Sequence, residues 1–305
     1  MTDPATPLLL HSLSTFGGCI VRCLEIAQAR RVVEIGSETG VLTLELVSWA
    51  AEHEATVVSV DPEPPQRVLE RAAETEALVV VASASPEALA DVEPADVYII
   101  DGDHNHSCVS RELAHIFGDP QRMPLAILHD VGWPCARRDA YYAPERLPEG
   151  ATHPYSYDKG AVPGRSELVH GGFRGVGQFA FAEHEGGERN GVLTAVEDFL
   201  KEREDLRLVT LPAVFGVAFV WSTRAPFAAA LEAELGPLDR DPLLEALERN
   251  RIALYVRTIE LQDLVGATSS RADRVIAELD ERIGALEAEN ARLLFAAAEG
   301  PRDEA

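Results

Sequence analysis

Basic residues are scarce in this 305-residue chain. The sequence has 27 lysines and arginines against 51 aspartates and glutamates, a formal net charge of −24, and only two of the basic residues are lysines. A protein that binds nucleic acid by neutralising phosphates needs a positive surface, and a peripheral protein that binds anionic lipid needs basic clusters. The charge balance therefore argues against nucleic-acid partners and against membrane-surface partners.

Long apolar runs and paired-cysteine motifs are also missing. No apolar run reaches the roughly 18 residues that a membrane-spanning helix needs. The N-terminal sequence MTDPATPLLLHSL lacks the basic region of a secretory signal. The four cysteines form no CxxC motif and no zinc-site spacing, and they are Cys19, Cys23, Cys108 and Cys135. We therefore expect a cytoplasmic protein with free thiols.

Strand and helix patterns alternate along the first 130 residues. Five short runs rich in β-branched residues predict strands, at 31–36, 55–61, 78–82, 95–101 and 125–130. Helical stretches lie between them, at 42–53, 65–75, 86–89 and 107–117. Near-continuous apolar strands joined by helices are typical of a parallel sheet that is covered on both faces.

Two more strands are predicted late in this region. They lie at 206–211 and 214–221, after a helix at 191–202, with Pro212 at the turn. Two consecutive strands that close a parallel sheet imply an antiparallel last strand. The expected fold class is α/β, a doubly wound Rossmann-like sheet of seven strands with a C-terminal helical tail.

The sequence predicts four segments. Residues 1–225 form the main domain, in which 131–189 is a long irregular stretch rich in glycine, proline and aromatic residues, typical of a substrate lid. A helical extension covers 226–268, a coiled coil 269–298 and a disordered tail 299–305. We call residues 131–189 the lid segment.

A heptad pattern supports the coiled coil. Positions a are Ile276, Ile283 and Asn290, and positions d are Ala272, Leu279, Leu286 and Leu293. Isoleucine at a, leucine at d and one asparagine at a favour a parallel two-stranded coil. A homodimer is therefore expected. The alternative is a long surface helix that packs on its own domain.

The most informative motif follows the first predicted strand. The strand ends at Glu34-Ile35-Gly36, a short loop follows, and Gly40 opens a helix whose N-terminus offers free N–H groups. The spacing is GxxxG, so the middle glycine that admits a pyrophosphate is missing, and Glu38 would repel phosphate. Asp61 ends the next strand, where a carboxylate can accept both ribose hydroxyls. The pattern favours a nucleoside ligand without phosphates and disfavours a nicotinamide cofactor.

Four segments in this order, VEIGSETG, SVDPEP, YIIDGDHNH and ILHDVGWP, resemble the class I S-adenosylmethionine (SAM)-dependent methyltransferases. More narrowly, they resemble bacterial sugar and natural-product O-methyltransferases, a group that includes cephalosporin-hydroxylase-like members. The resemblance implies that SAM is the cofactor. It implies that Glu34, Gly36, Ser37 and Gly40 line the methionine part and that Asp61 holds the ribose. It places Ser83 and Ser85 beside the adenine, with Asp101 and Gly102 closing the site.

A divalent metal is left open by the sequence. Metal-dependent relatives bind magnesium through an acid after the fourth strand and an acidic pair after the fifth, which correspond to Asp101 and to His129-Asp130. Magnesium prefers oxygen ligands, so the histidine implies either a softer ion such as manganese or no metal. The resembled group also often carries DGDHxY, and His106 stands where the tyrosine is usual.

Methyl transfer to a hydroxyl needs a base at the acceptor. The candidates are His104, His129 and Asp130, and we expect Asp130 to be essential and one of the two histidines to be the base. Aromatic and basic residues in the lid segment suit a carbohydrate or glycosylated natural product, although the aromatic residues could equally anchor the lid as a small core. The alternative function is a weak or inactive methyltransferase-like scaffold that assembles through its coil.

Overall fold

The computed structural model describes residues 12–298, with side chains through residue 295. Its centre is a sheet of seven strands, which we number along the chain. They are β1 (Arg31–Ile35), β2 (Thr56–Val60), β3 (Leu78–Val81), β4 (Val97–Ile100), β5 (Leu125–His129), β6 (Leu206–Leu211) and β7 (Val217–Ser222). The order across the sheet is β3-β2-β1-β4-β5-β7-β6, and β7 runs opposite to the other six strands. The expected sheet with its antiparallel last strand is confirmed.

Helices connect and cover the strands. They are α1 (Gly17–Ala27), α2 (Val41–His53), α3 (Gln66–Glu74), α4 (His106–Ile116), α5 (Val192–Leu200), α6 (Ala228–Leu235) and α7 (Pro242–Ala298). A short 3-10 helix, Leu13–Phe16, precedes α1. Another, Glu87–Asp91, lies where the sequence predicts a helix at 86–89. None of the helices within residues 12–298 combines the length and apolarity needed to cross a membrane.

The strands bury both faces because successive side chains point to opposite sides of a sheet. Val32 belongs to the apolar cluster that contains α1 and α2, whereas its neighbour Val33 belongs to the cluster that contains α4 and α5. Every residue of β4, β5 and β7 is buried. This two-sided burial explains why the sequence of these strands is almost continuously apolar.

The lid segment is more ordered than the sequence predicts. Three short strands, Ala140–Tyr141, Tyr155–Ser156 and Ala180–Ala182, form an antiparallel sheet with the last of them in the centre. A second pair joins Lys159–Gly160 to Val169–His170. Strands of two or three residues are too short for alternation of polar and apolar residues to reveal them.

The chain divides into two compact units, the first ending at Leu254 and the second beginning at Tyr255. The first contains the sheet, the lid segment, α6 and the start of α7, and the second contains the rest of α7. The segment boundaries after residues 225 and 268 stay predictions. The N-terminal residues 1–11 and the predicted tail at 299–305 lie outside the described residues. All four cysteines lie within them and are free thiols, as expected.

Candidate active site

The turn between β1 and α2 requires glycine at two positions. Gly36 has φ +84° and Gly40 has φ +74°, both in the left-handed region. A Cβ on Gly36 would overlap the backbone carbonyl of Asp101, so this glycine lets the ends of β1 and β4 lie side by side. A Cβ on Gly40 would collide with Val68 of α3. Backbone geometry therefore requires both glycines of the predicted cofactor loop.

Asp61 lies at the carboxyl end of β2 and is tied to that loop. The backbone N–H and the hydroxyl of Ser37 both donate to Asp61 Oδ2, each at 2.7 Å. The N–H of Glu63 donates to Oδ1 at 2.8 Å. The carboxylate is buried and accepts three hydrogen bonds. It therefore joins the loop after β1 to the loop after β2.

A small cavity lies against the glycine turn. Its lining includes four of the predicted cofactor-binding residues, which are Glu34, Gly36, Ser37 and Asp101. Ser12, Leu13 and Ser14, in the 3-10 turn before α1, also line it. This N-terminal contribution was not predicted, because its sequence carries no recognisable motif.

Glu34 is an acid buried within the sheet. Its side chain is 1% exposed and accepts a hydrogen bond from Thr43 Oγ1 at 2.6 Å. Burial raises the pKa of Glu34 to about 8, although the hydrogen bond from Thr43 lowers it. The carboxyl group is consequently neutral at pH 7, and it contributes hydrogen bonds to the site and no charge.

The two serines predicted to contact adenine have different surroundings. Ser83 follows β3 and is exposed. The hydroxyl of Ser85 donates to Glu112 Oε1 of α4 at 2.6 Å. Gly102, predicted to close the site, packs against Ile35, where a Cβ would lie 3.2 Å from Ile35 Cγ2. The structure therefore brings Ser83, Ser85 and Gly102 to the carboxyl edge of the sheet, where ligands bind in open α/β folds.

Two histidines and two aspartates meet at the ends of β4 and β5. His129 Nδ1 lies 3.0 Å from Asp101 Oδ1 and 3.6 Å from Asp130 Oδ2. His104 Nδ1 lies 3.2 Å from Asp130 Oδ2, and its Nε2 lies 3.4 Å from Asp101 Oδ1. All residues predicted for catalysis and for metal binding are thus in one cluster. Asp130 has φ +58°, a left-handed conformation that aspartate adopts more readily than most residues.

His129 is fixed by both of its ring nitrogens. Nε2 lies 2.9 Å from the carbonyl oxygen of Val214, which can only accept, so Nε2 carries a hydrogen. Nδ1 faces carboxylate oxygens, which requires either a second proton or a cation between them. Burial lowers the pKa of His129, but the carboxylates of Asp101 and Asp130 outweigh it and raise the pKa to about 9. Burial also raises the pKa of Asp101, but His129 and His104 outweigh burial and lower this pKa to about 2.

His104 is the more accessible histidine of the cluster. Its side chain is 15% exposed, compared with 1% for His129. Burial lowers its pKa, but the neighbouring Asp130 and Asp101 raise it well above the usual value. Its ring contacts Tyr142 edge-on, with centroids 5.9 Å apart. His104 is therefore the histidine of the cluster whose ring contacts the lid segment.

The residues of this cluster fit a divalent cation. The ligand atoms of Asp101, His129 and Asp130 all lie within 4.8 Å of one another, and His104, Asp130 and Cys135 form a second such group. The Val214 carbonyl fixes the His129 tautomer that leaves Nδ1 for a metal, a common feature around histidine ligands. A mixed nitrogen and oxygen set suits manganese or zinc better than magnesium.

Tyr142, which contacts His104, belongs to a group of aromatic side chains in the lid segment. Tyr142 is half-exposed and packs on Phe179 at 5.4 Å between centroids, and Phe173 packs on Trp133 at 6.0 Å. Trp133 Nε1 is buried without a hydrogen-bond partner among the described residues. An unpaired buried N–H is costly, so a ligand oxygen near Trp133 would be favourable.

Other lid residues hold the segment together instead of facing the site. Tyr141 is buried, and its hydroxyl donates to Asp139 at 2.9 Å. Arg138 is fully buried and donates to the carbonyl of Ser166 at 2.6 Å. Arg137 forms an ion pair with Glu197 at 2.6 Å, and Lys159 pairs with Glu183 at 3.2 Å. One part of the lid segment is therefore held together by its own side chains, as a small core would be. Contact with an acceptor remains the interpretation for Tyr142 and Trp133.

Two departures from expectation concern α4. His106, which replaces a tyrosine of the resembled motif, binds Asp198 of α5 at 2.9 Å through Nε2. Asp139, absent from the predicted site, accepts hydrogen bonds from the N–H groups of His106 and Gly191 at 2.8 and 2.7 Å. It joins the lid segment to the start of α4. No local pattern distinguishes such a buried acid from an exposed one.

Comparison with known proteins agrees with the geometry. Residues 33–131 match a family described as "Methyltransferase domain". No curated protein matches the chain. Similar solved structures include the SAH-bound methyltransferase PaMTH1 of Podospora anserina (15% identity, 70% of this chain and 80% of that chain, TM-score 0.45). Another is an O-methyltransferase of Bacillus cereus in complex with SAH (14% identity, 70% of this chain and 83% of that chain, TM-score 0.43). A third is TomG of Streptomyces achromogenes in complex with SAM (13% identity, 70% of this chain and 82% of that chain, TM-score 0.40).

The sheet order, the glycine turn after β1 and the acid after β2 define a class I methyltransferase fold. The family match covers three of the four resembled segments and the first residues of the last. The match identifies a methyltransferase domain within residues 33–131, and the resemblance to the class I SAM-dependent methyltransferases is confirmed. The narrower resemblance to sugar and natural-product enzymes stays a prediction.

Proposed function

We propose that the protein transfers a methyl group from SAM to a hydroxyl of a small acceptor, a carbohydrate or a glycosylated natural product. The observation that carries this proposal is the position of His104. Its ring lies between Asp101 and Asp130 at the carboxyl edge of the sheet, next to the half-exposed Tyr142. A proton acceptor and an aromatic contact surface are therefore adjacent to the end of β4.

The cofactor site is proposed for the residues around the glycine turn. Gly36 and Gly40 allow the backbone to approach a ligand, and the N-terminus of α2 provides N–H groups. Asp61 is proposed to accept the ribose hydroxyls, with Ser83 and Ser85 near the adenine. Glu34, Ser37, Asp101 and Gly102 complete the set. Bound SAM supplies a sulfonium methyl group, which is the electrophile.

The chemistry requires a base and little else from the protein. The acceptor oxygen forms a bond to the methyl carbon while the bond from carbon to sulfur breaks, and S-adenosylhomocysteine (SAH) leaves with that electron pair. The neutral form of His104 takes the hydroxyl proton as general base. Because Asp130 and Asp101 raise the pKa of His104, this neutral form is the minor one near pH 7, and the rate of transfer should rise with pH. Asp130, 3.2 Å from His104 Nδ1, orients the ring and stabilises the imidazolium that forms. His129 is bound to Val214 and Asp101, so it positions Asp101 and is a poor base.

A divalent cation would be held by Asp101, His129 and Asp130. It would supply Lewis-acid polarisation of the acceptor oxygen, which makes the hydroxyl more acidic. Removal of the hydroxyl proton is assigned to His104 with or without the cation.

The acceptor class is supported by the lid segment. Aromatic faces such as Tyr142 and Phe179 suit the apolar faces of sugar rings and planar natural products. Arg137, Arg138 and Lys159 are bound to groups of the protein itself, which gives no support to a phosphate-bearing acceptor. The acceptor is therefore proposed to be uncharged.

Two measurements test this proposal. Titration calorimetry should detect SAH binding and no NAD⁺ binding, which would also separate the methyltransferase from a nicotinamide enzyme. Mass spectrometry should then detect transfer of a trideuteromethyl group from labelled SAM to members of a panel of neutral glycosides and hydroxylated aromatic compounds. SAH binding with no transfer to any acceptor would favour the scaffold alternative, and NAD⁺ binding would refute the proposed chemistry.

A further inference from the structure

The second unit carries an apolar seam without a partner in the described single chain. Ile276, Leu279, Ile283, Leu286 and Leu293 are each 52–62% exposed. They lie three, four and seven residues apart on α7, so they follow one line along the helix. All other described side chains from residue 261 to residue 295 are also exposed.

Such a seam needs a partner that repeats every 3.5 residues. Five large aliphatic side chains in line exceed the scattered apolar residues of an ordinary surface. A period of 3.5 residues matches a helix that supercoils with another helix, because an isolated straight helix has 3.6 residues per turn and the seam would drift around it. The occupant is therefore a helix.

From these features we infer that the occupant is a second copy of this chain, which joins the first in a parallel two-stranded coiled coil. Isoleucine at a and leucine at d favour two parallel strands. Asn290 occupies an a position, where a polar residue lowers stability unless it meets a polar partner. An identical helix in register supplies that partner, since Asn290 of one copy then faces Asn290 of the other.

The flanking charges also match a second copy. Arg282 occupies a g position and Glu287 the e position of the next heptad. A parallel pair in register places Arg282 of one copy beside Glu287 of the other, and symmetry repeats this ion pair on the opposite side. The same register forms two other pairs between a g position and the next e position, Val275 with Asp280 and Glu289 with Leu294. Neither pair brings like charges together.

This inference does not rest on the proposed function, because SAH binding and methyl transfer concern residues of the first unit. Sedimentation equilibrium of the full chain should give the mass of a dimer. The double variant I283D/L286D should sediment as a monomer, because aspartates at a and d oppose each other in the coil. The matched control A285D/A288D places the same charges at outer positions and should remain dimeric. Helix content from circular dichroism verifies that both variants keep α7.

A charge exchange tests the orientation. R282E and E287R should each weaken the homodimer about tenfold, since each brings like charges together. A mixture of the two variants should form heterodimers preferentially, because opposite charges then meet on both sides in a parallel pair. A monomeric full chain, or a dimer that I283D/L286D leaves intact, would refute the coil. Absence of heterodimer preference would refute the parallel register.

Discussion

Ser37 donates two hydrogen bonds to a single oxygen of Asp61, one from its backbone N–H and one from its hydroxyl, both at 2.7 Å. This relationship joins the loop after β1 to the loop after β2. It keeps the Asp61 carboxylate buried and oriented at the position that we propose for the ribose. Asp61 therefore has two roles to separate, anchoring of the glycine turn and direct contact with the cofactor.

Substitution of Asp61 should weaken cofactor binding strongly. Loss of buried, charge-assisted hydrogen bonds costs about 2–3 kcal/mol, so D61A should raise the Kd for SAH about 30- to 150-fold. S37A removes only the hydroxyl bond and should cost much less. Titration calorimetry measures both, with D119A, an exposed loop aspartate, as the control. If D61A binds SAH as tightly as the parent protein, the assignment of the ribose site is wrong.

The sheet could be predicted from the sequence because its signals are local. Strands buried on both faces are almost continuously apolar, and the glycines flank them at fixed spacing. The sequence pattern predicts that β7 starts at Val214, whereas the strand starts at Val217. Val214 and Phe215 adopt positive φ, and the Val214 carbonyl turns toward His129, 85 positions earlier in the chain. A contact of that range leaves no local pattern.

The site could be predicted only in part. Its acids and histidines follow predicted strands, so the fold brings them together. The roles of the two histidines could not be separated, since their difference lies in burial and in the Val214 carbonyl. Arg138 could not be recognised as structural, because a buried arginine that binds carbonyl groups has the same local sequence context as an exposed one.

Substitutions in the His104 pair should reduce turnover and leave SAH binding almost unchanged. Loss of a general base typically costs about 10²–10⁴-fold in kcat, which is our expectation for H104Q. D130N is the appropriate partner variant, because asparagine tolerates the positive φ of Asp130. The exposed H115Q on α4 serves as the control. Rates with an acceptor from the panel and Kd values for SAH provide the comparison.

If H104Q kept its turnover while H129Q lost it, the roles of the two histidines would be reversed. Equal loss of SAH affinity in H104Q and D61A would instead place His104 in the cofactor site.

The cation preference of the cluster should follow its donor atoms. On EDTA-treated protein we expect Mn²⁺ to bind more tightly than Mg²⁺, since His129 contributes nitrogen. H129D makes the set of Asp101, Asp130 and the new carboxylate entirely oxygen and should shift the preference toward Mg²⁺. Calorimetric titration of each ion measures this. Failure of both ions to bind would mean that a proton on His129 Nδ1 balances the carboxylates instead.

The buried acid Glu34 should make stability depend on pH. Its pKa is about 8 in the folded protein and 4.5 in an unfolded chain, so the folded state binds more protons between these values. The stability that this difference provides is complete below pH 4.5 and is lost as the pH rises toward 8, at about 1.4 kcal/mol per pKa unit.

E34Q cannot ionise, and its amide oxygen can still accept from Thr43. We therefore expect E34Q to be more stable than the parent above pH 8, with a shallower loss of stability between pH 5 and 8. Urea unfolding at a series of pH values measures this, and E52Q, the same change at an exposed position of α2, should reproduce the parent curve. Identical slopes for E34Q and the parent would show that Glu34 is ionised in the folded protein at neutral pH.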